Sequence, residues 1–411
     1  MDMLLNQIAF VLMLLLKAFS VWFLVTALLF WKRPTPYERH DPHTRFACLI
    51  PARSEEAVIA ALVQSLKEQN YPNDRYDVYV LPNNCTDDTE AAALSAGAKL
   101  LRCAGPVRCK GDVLHQAIIR LLPLDYDVFC VFDADNIVDT AFLARMNDAF
   151  CAGARVAKAR MLAKNPYDSW VASCYALYYG LNETFFNRSR AAFGLSAKLV
   201  GTGFAVHRDV LVRMGGWNTE TIAEDAEFSA MCAALGERVQ WVPEAVTYDE
   251  APRSFRVSLM QRRRWCSGIM SAAERNVPRL FCALRVTNVP RAVDMIFFLC
   301  APFVQAFSPV PAVLPVISAI LCGTLFPLLM ATIPTLLGSW IGMTLLAVWL
   351  TNRIGLNVRQ NIKGILLFPL FMASWLPLQI ISAVYRTRIW KEIHHGGAPQ
   401  PSLSQSPRLP T

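Results

Sequence analysis

Four short constellations in this sequence, three of them charged, have the composition and spacing of reactive groups. The first is Phe132-Asp133-Ala134-Asp135-Asn136, which follows the apolar run Val128–Val131. Two carboxylates one residue apart offer hard oxygen ligands, which suit Mg²⁺ or Mn²⁺ completed by water and substrate phosphate. Taken alone, a D-x-D is equally a solvated turn at a strand end. The second is Glu224-Asp225, at the start of the helix-like run Ala226–Leu235. Acidic residues suit a helix N-terminus, and a carboxylate there can also serve as a general base toward a hydroxyl. Between these pairs lies Gly201-Thr202-Gly203-Phe204, whose glycines let backbone approach a ligand or make a tight turn. The fourth is Gln261-Arg262-Arg263-Arg264-Trp265. Arginine pairs well with diphosphate, and a tryptophan face suits a sugar ring; a juxtamembrane basic patch is the plainer reading.

The elements that would position these groups alternate. Phe46–Pro51, Asp77–Pro82 and Val128–Phe132 read as strands. Glu55–Gln69, Thr86–Ala96, Lys110–Leu122 and Asp139–Phe150 read as helices. Such alternation predicts an α/β domain with a mostly parallel sheet covered on both faces. Ligands then bind beyond the carboxyl ends of the strands. Each strand ends in a polar cluster there: Pro51-Ala52-Arg53-Ser54-Glu55, Asn83 through Asp88, and Asp133 through Asp135. No G-x-G-x-x-G or G-x-x-x-x-G-K-[ST] occurs, which removes the main support for dinucleotide and P-loop readings.

The 411-residue chain is 54% hydrophobic, and the apolar excess lies at its ends. Residues 3–31 carry only Lys17 as a charge, and residues 292–350 only Asp294. About 20 apolar residues span a bilayer, so residues 1–33 predict an uncleaved anchor and 292–390 a set of transmembrane or interfacial helices. Lys32 and Arg33 follow the anchor, and Arg353, Arg359 and Lys363 follow the 292–350 stretch. Positive residues beside a span favour the cytoplasmic side, so the central domain, 46–253, is expected in the cytosol. Gly364–Tyr385 carries Pro369 and Pro377 and predicts a broken, partly interfacial element unless one basic loop faces outward. Residues 254–291 form an interface segment, amphipathic over 254–270. The tail 396–411 reads as disordered. Twelve cysteines without a C-x-x-C pair agree with a reducing compartment. On that topology the sequons at Asn84, Asn182 and Asn187 are chance. A net charge of +8 suits an anionic membrane surface, and no basic stripe interleaved with aromatics points to nucleic acid.

D-A-D, G-T-G-F, E-D and Q-R-R-R-W, in that order and framed by membrane segments, resemble the membrane-integrated family 2 glycosyltransferases. These include cellulose, hyaluronan, chitin-oligosaccharide and poly-N-acetylglucosamine synthases. The resemblance covers about residues 46–270. It implies a GT-A fold, Rossmann-like, with a nucleotide-sugar donor, usually UDP-linked, and Mg²⁺ or Mn²⁺. It implies an integral protein of a bacterial plasma membrane. By position, Pro51, Ala52, Arg53 and Glu55 match the loop that cradles uridine. Asn83 stands where the family commonly has a base-contacting aspartate, Lys110-Gly111 match a K-G element near the donor, and Asp133 matches the first aspartate. Asp135 matches the metal-binding aspartate, with Asp133 beside it. Gly201, Thr202 and Gly203 match the acceptor-side loop and Asp225 the catalytic base, preceded by Glu224. Gln261, Arg264 and Trp265 match Q-x-x-R-W, with the arginine at the diphosphate and the tryptophan at the acceptor. The implied reaction is an inverting transfer onto a growing β-linked polysaccharide. A single transfer onto a lipid-linked acceptor is the alternative. An inactive sugar-binding or transporter-like membrane protein is the alternative from another class.

Overall fold

A computed structural model describes residues 2–387 of the chain. Its centre is an eight-stranded sheet: β1 (Phe46–Ala52), β2 (Tyr76–Pro82), β3 (Lys99–Leu100), β4 (Val128–Val131), β5 (Ile137–Val138), β6 (Val156–Ala163), β7 (Phe204–His207) and β8 (Val239–Asp249). The spatial order is β3-β2-β1-β4-β7-β6-β8-β5. β3, β2, β1 and β4 pair in parallel, as do β6 and β8. β7 runs antiparallel to both β4 and β6, and β5 antiparallel to β8. The sheet is therefore mixed but mostly parallel, with β5 and β7 running against the rest. The reversal of β7 has a consequence for the site. Val131 at the end of β4 pairs with Phe204 at the start of β7. That register brings Gly201–Gly203 to the same sheet edge as Asp133–Asp135.

The sheet is buried because its strands are apolar on both faces, as parallel strands require. One face packs Ile59, Leu62, Val63 and Leu66 from the helix Glu56–Lys67, with Phe142 and Met146 from Phe142–Cys151. The other packs Val113, Leu114, Ala117 and Ile118 from Lys110–Leu121, with Phe204 stacked on Trp217 and Trp217 on Phe228.

The helix expected over Thr86–Ala96 starts later, at Thr89. The preceding residues close the ends of β1 and β2 instead: Thr89 Oγ1 bonds Asp87 Oδ1 at 2.5 Å and accepts from Glu55 N at 2.8 Å. The helix expected from Asp139 starts at Phe142; Asp139 closes a turn just before it, accepting from Ala141 N at 2.9 Å. The interface helix is longer than the expected amphipathic stretch and runs Phe255–Ala283.

Among the described residues, four helical stretches are long and apolar enough to cross a membrane: Asn6–Ala27, Val289–Leu321, Leu325–Arg353 and Ile362–Val384. They mark an integral membrane protein. The last breaks at Ser374 into Ile362–Ala373 and Trp375–Val384, the interruption its prolines suggested. Arg388, Lys391 and the tail from Gly396 lie outside the described residues.

The sheet domain and these helices share a core. Gly364 faces Trp170–Leu181 so closely that a side chain there would collide with Ser173. Phe368 and Phe371 pack among Tyr175 and Leu177.

Candidate active site

The carboxyl edge of the sheet opens onto a cavity of about 750 Å³. Pro51, Arg53, Glu55, Asn83, Lys110, Asp133 and Asp135 line one end; Gly201, Thr202, Glu224 and Asp225 lie along it; and Gln261, Arg264 and Trp265 follow. Its far wall is made of Phe23, Phe298, Gln305, Trp375 and Gln379 from the apolar helices. Ala52, the last residue of β1, and Gly203, just before β7, are not among the lining residues.

Asp133 and Asp135 reach the site because β4 stops at Val131 and the chain turns, with Asn136 N donating to Asp133 O at 3.2 Å. The turn is tied to the neighbouring loop by Asp133 N donating to Thr202 Oγ1 at 3.1 Å, and by Thr202 Oγ1 bonding Asn136 Oδ1. Gly203 has φ +62°, a left-handed conformation, and any side chain there would meet Thr247 Oγ1 at 2.7 Å. Gly201 is constrained by space: a methyl would stand 2.9 Å from Asp133 Oδ2.

Glu224 and Asp225 occupy the first turn of the helix Glu224–Ala234. Asp225 Oδ1 accepts from Ala226 N at 2.7 Å and Oδ2 from Gly201 N at 2.7 Å. Glu224 faces Lys110 Nζ at 3.3 Å, and Lys110 also meets Asp133 Oδ1 at 2.5 Å and the Gly201 carbonyl. Burial opposes the Lys110 charge, but Asp133 and Glu224 outweigh it and hold the ammonium above its usual range. Burial pushes Glu224 up to about 7 despite the nearby lysine.

Asp135 is pushed up to about 7 by burial and by the carboxylates of Asp133 and Glu250. Asp249, at the end of β8, is also raised to about 7, by burial and by Asp135. Asn136 Nδ2 donates to Asp135 Oδ1 at 3.3 Å and to Asp249 Oδ1 at 2.9 Å, and Tyr179 OH donates to Asp249 Oδ2 at 2.6 Å. Carboxylates crowded this way disfavour each other's charge, and a divalent cation among them would relieve it. Asp133 and Asp135 are oxygen donors of the type that would suit Mg²⁺ or Mn²⁺, and Asn136 links Asp135 to Asp249; among the described residues no group of three or more His, Cys, Asp or Glu side chains is placed to hold a metal ion. Asp249 and Tyr179 escaped the sequence reading. Tyr248-Asp249-Glu250 is a polar cluster at a strand's carboxyl end, the same signal that marked Asp133.

Asn83 is buried, and its side chain is engaged by protein: Oδ1 accepts from Arg53 Nε at 3.0 Å and Nδ2 donates to Ala52 O at 2.9 Å. It ties the ends of β1 and β2 together beneath the loop expected to hold the base.

The three arginines of Q-R-R-R-W diverge. Arg262 is fully buried, donates to Phe371 O at 3.0 Å and Ser374 Oγ at 2.9 Å, and lies 4.1 Å over the Phe371 ring. Arg264 lines the cavity. Gln261 Oε1 accepts from Tyr175 OH at 2.8 Å, and Trp265 stands between Tyr175 and Trp375.

Comparison with known proteins gives the chain its family and confirms its fold. Residues 42–268 match the family model described as glycosyltransferase like family 2, and the chain belongs to that family. It is similar to "Probable glycosyltransferase YdaM" of Bacillus subtilis, 28% identical over 56% of this chain and 59% of that one. It is also similar to "Beta-monoglucosyldiacylglycerol synthase" of Nostoc, 30% identical over 54% of this chain and 48% of that one. The matched stretch thus spans about half the length of these curated relatives. Among solved structures, the mannosyltransferase PcManGT from Pyrobaculum calidifontis, in complex with GDP-Man and Mn²⁺, superposes with a TM-score of 0.61. Its identity is 18%, over 89% of this chain and 99% of that one, and the likeness shows a shared GT-A fold.

Proposed function

We propose that this protein is an inverting, metal-dependent glycosyltransferase that moves a sugar from a nucleotide-sugar, UDP-linked by our reading, onto an acceptor reaching the site from the membrane. One observation carries it: a single cavity joins the D-A-D end, the Asp225 carboxylate and a wall of apolar helices. The nucleotide enters at the sheet edge, over Pro51, Arg53 and Glu55. Asp225, its carboxylate aimed by two backbone N–H groups, takes the proton from the acceptor hydroxyl. That oxygen attacks the anomeric carbon from the face opposite the diphosphate, so an α-linked donor gives a β-linked product. Arg264 offsets charge on the departing diphosphate. A bound Mg²⁺ or Mn²⁺ at Asp135 and Asp133 supplies Lewis-acid stabilisation of that diphosphate. The Trp265 face and the Gly201–Gly203 loop hold the acceptor.

Between the two acceptor classes, a lipid-linked hydroxyl fits better than a growing polysaccharide. The far wall presents Phe23, Phe298 and Trp375, which suit an apolar tail, and the Nostoc relative is named as a synthase of a glucosylated diacylglycerol. The basic residues at 32–33 and 353–363 support a cytosolic catalytic domain.

The test is nucleotide release by the detergent-purified full chain against UDP- and GDP-sugars, with Mn²⁺, Mg²⁺ or chelator, beside Asp135→Asn. Metal-dependent release with one donor, lost in the variant, is the expected result. Silence from folded protein across all donors would refute the activity. Diacylglycerol in nanodiscs, raising turnover and becoming glycosylated, separates the lipid acceptor from a polymer.

A further inference from the structure

We infer that Lys110 is a positioning residue for the Asp225 carboxylate and not a ligand of the donor's diphosphate. The inference rests on the transferase reading for what Asp225 does; the contacts that support it do not.

A lysine ammonium carries three donors and no acceptor. At Lys110 two are spent on hydrogen bonds, to Asp133 Oδ1 at 2.5 Å and to the Gly201 carbonyl, and the ammonium forms an ion pair with Glu224 Oε1 at 3.3 Å. The side chain is nearly enclosed, at 13% exposure. Reaching for a phosphate would leave the buried Glu224 without its cation. Stranding a buried charge is costly, so the diphosphate's charge falls to Arg264 and the metal instead.

The Gly201 peptide is held from both sides. Lys110 takes its carbonyl, and its N–H is donated to Asp225 Oδ2 at 2.7 Å. The other Asp225 oxygen accepts from Ala226 N, within its own helix. Of the two N–H groups that orient this carboxylate, one is therefore fixed by Lys110. The absence of a side chain at Gly201 permits the arrangement, since a methyl would stand 2.9 Å from Asp133 Oδ2 and 3.8 Å from Lys110 Nζ. Lys110 also touches the D-A-D turn through Asp133, so one ammonium registers the donor-side loop against the base.

The experiment separates nucleotide binding from turnover in the full-length detergent-purified chain. Lys110→Arg keeps the charge but cannot cap three convergent oxygens from one point; Lys110→Met removes it. Binding of UDP and of GDP with Mn²⁺ is read by calorimetry, turnover by nucleotide release, and folding by melting. For Lys110→Arg, affinity for the better-bound nucleotide should stay within about twofold while kcat falls on the order of 100-fold, the scale of a small misplacement of a reacting group. Lys110→Met should lose more kcat with affinity still near wild type. A tenfold or larger loss of nucleotide affinity in Lys110→Arg, with kcat retained, would overturn the assignment and make Lys110 a diphosphate ligand. Full kcat in both variants would overturn it too. A wild-type chain that binds nucleotide yet turns over no donor counts against the transferase reading, and the binding comparison still decides the role of Lys110.

Discussion

Arg190 grips Asp294 through two hydrogen bonds, Nε to Oδ2 at 2.9 Å and Nη2 to Oδ1 at 3.1 Å, with both side chains buried. Asp294, the lone charge of residues 292–350, belongs to the helix Val289–Phe307; Arg190 belongs to the catalytic domain. Trp22, in the N-terminal helix, donates to the same carboxylate at 2.8 Å, and Phe186 lies beneath the guanidinium at 3.4 Å. Three separate parts of the chain therefore meet on one ion pair.

Removing one partner leaves the other charge buried, at a cost of roughly 3–5 kcal/mol. Arg190→Met and Asp294→Leu should each lower the melting temperature in detergent markedly, and the double variant should recover most of the loss. Additive losses would show that the two side chains act independently.

Gly201→Ala forces a methyl against Asp133 Oδ2 at 2.9 Å. With φ in the ordinary range the backbone accepts alanine, so the effect should fall on the site. We expect turnover to drop by about 10- to 100-fold with little change in melting temperature. A fully active Gly201→Ala protein would mean the loop moves away during the reaction.

Two arginines separated by one residue should behave oppositely. Arg262→Ala removes hydrogen bonds to Phe371 and Ser374, and should destabilise the seat of Ile362–Val384, seen as faster proteolysis of that segment. Arg264→Ala should leave melting within a few degrees and reduce turnover about 100-fold or more, as for a lost charge-stabilising group.

Glu224 gives a pH dependence of defined sign. Its carboxyl is raised by burial from the ordinary range to about 7, so folding disfavours its ionised form. Stability from this group is present below the unfolded carboxyl range and declines as pH rises through about 7. In chelator, where no cation offsets the site, the melting temperature should fall between pH 5 and pH 8, and Glu224→Gln should flatten that fall. An unchanged slope in the variant would place the dependence on another group, with Asp249 next, since it too is raised to about 7.

Much of the first half of the sheet was legible. Phe46–Pro51, Asp77–Pro82 and Val128–Phe132 are apolar runs that end in polar clusters, and they form β1, β2 and β4 within a residue or two. The second half was not. β6 carries the buried Lys158 and the partly buried Arg160, which break the apolar run, and Lys158 is fully enclosed with its ammonium on Ala159 O at 2.8 Å. β7 is four residues long, too short to show a pattern, and it runs against β4. The π-helical turn Asn182–Arg188 has no sequence signature of its own. At the site, residue types and order pointed to the right neighbourhood, but side-chain partners lay beyond reach. Nothing in Lys110-Gly111 says that the lysine faces Glu224, 114 positions later. Nothing in three adjacent arginines says which one turns into a helix bundle.

The cavity described above joins two linings of different character. At the sheet edge it is lined by charged side chains, among them Arg53, Lys110, Asp133 and Asp135; elsewhere it is lined by Phe23, Phe298 and Trp375 of the apolar helices. On the proposed function, reactants of opposite solubility would then meet different linings of one cavity. The spent nucleotide would leave over the charged lining and the glycosylated acceptor over the apolar one. Binding order would not be imposed by one substrate blocking the other, and turnover measured in micelles would depend on how well the detergent fills the apolar lining.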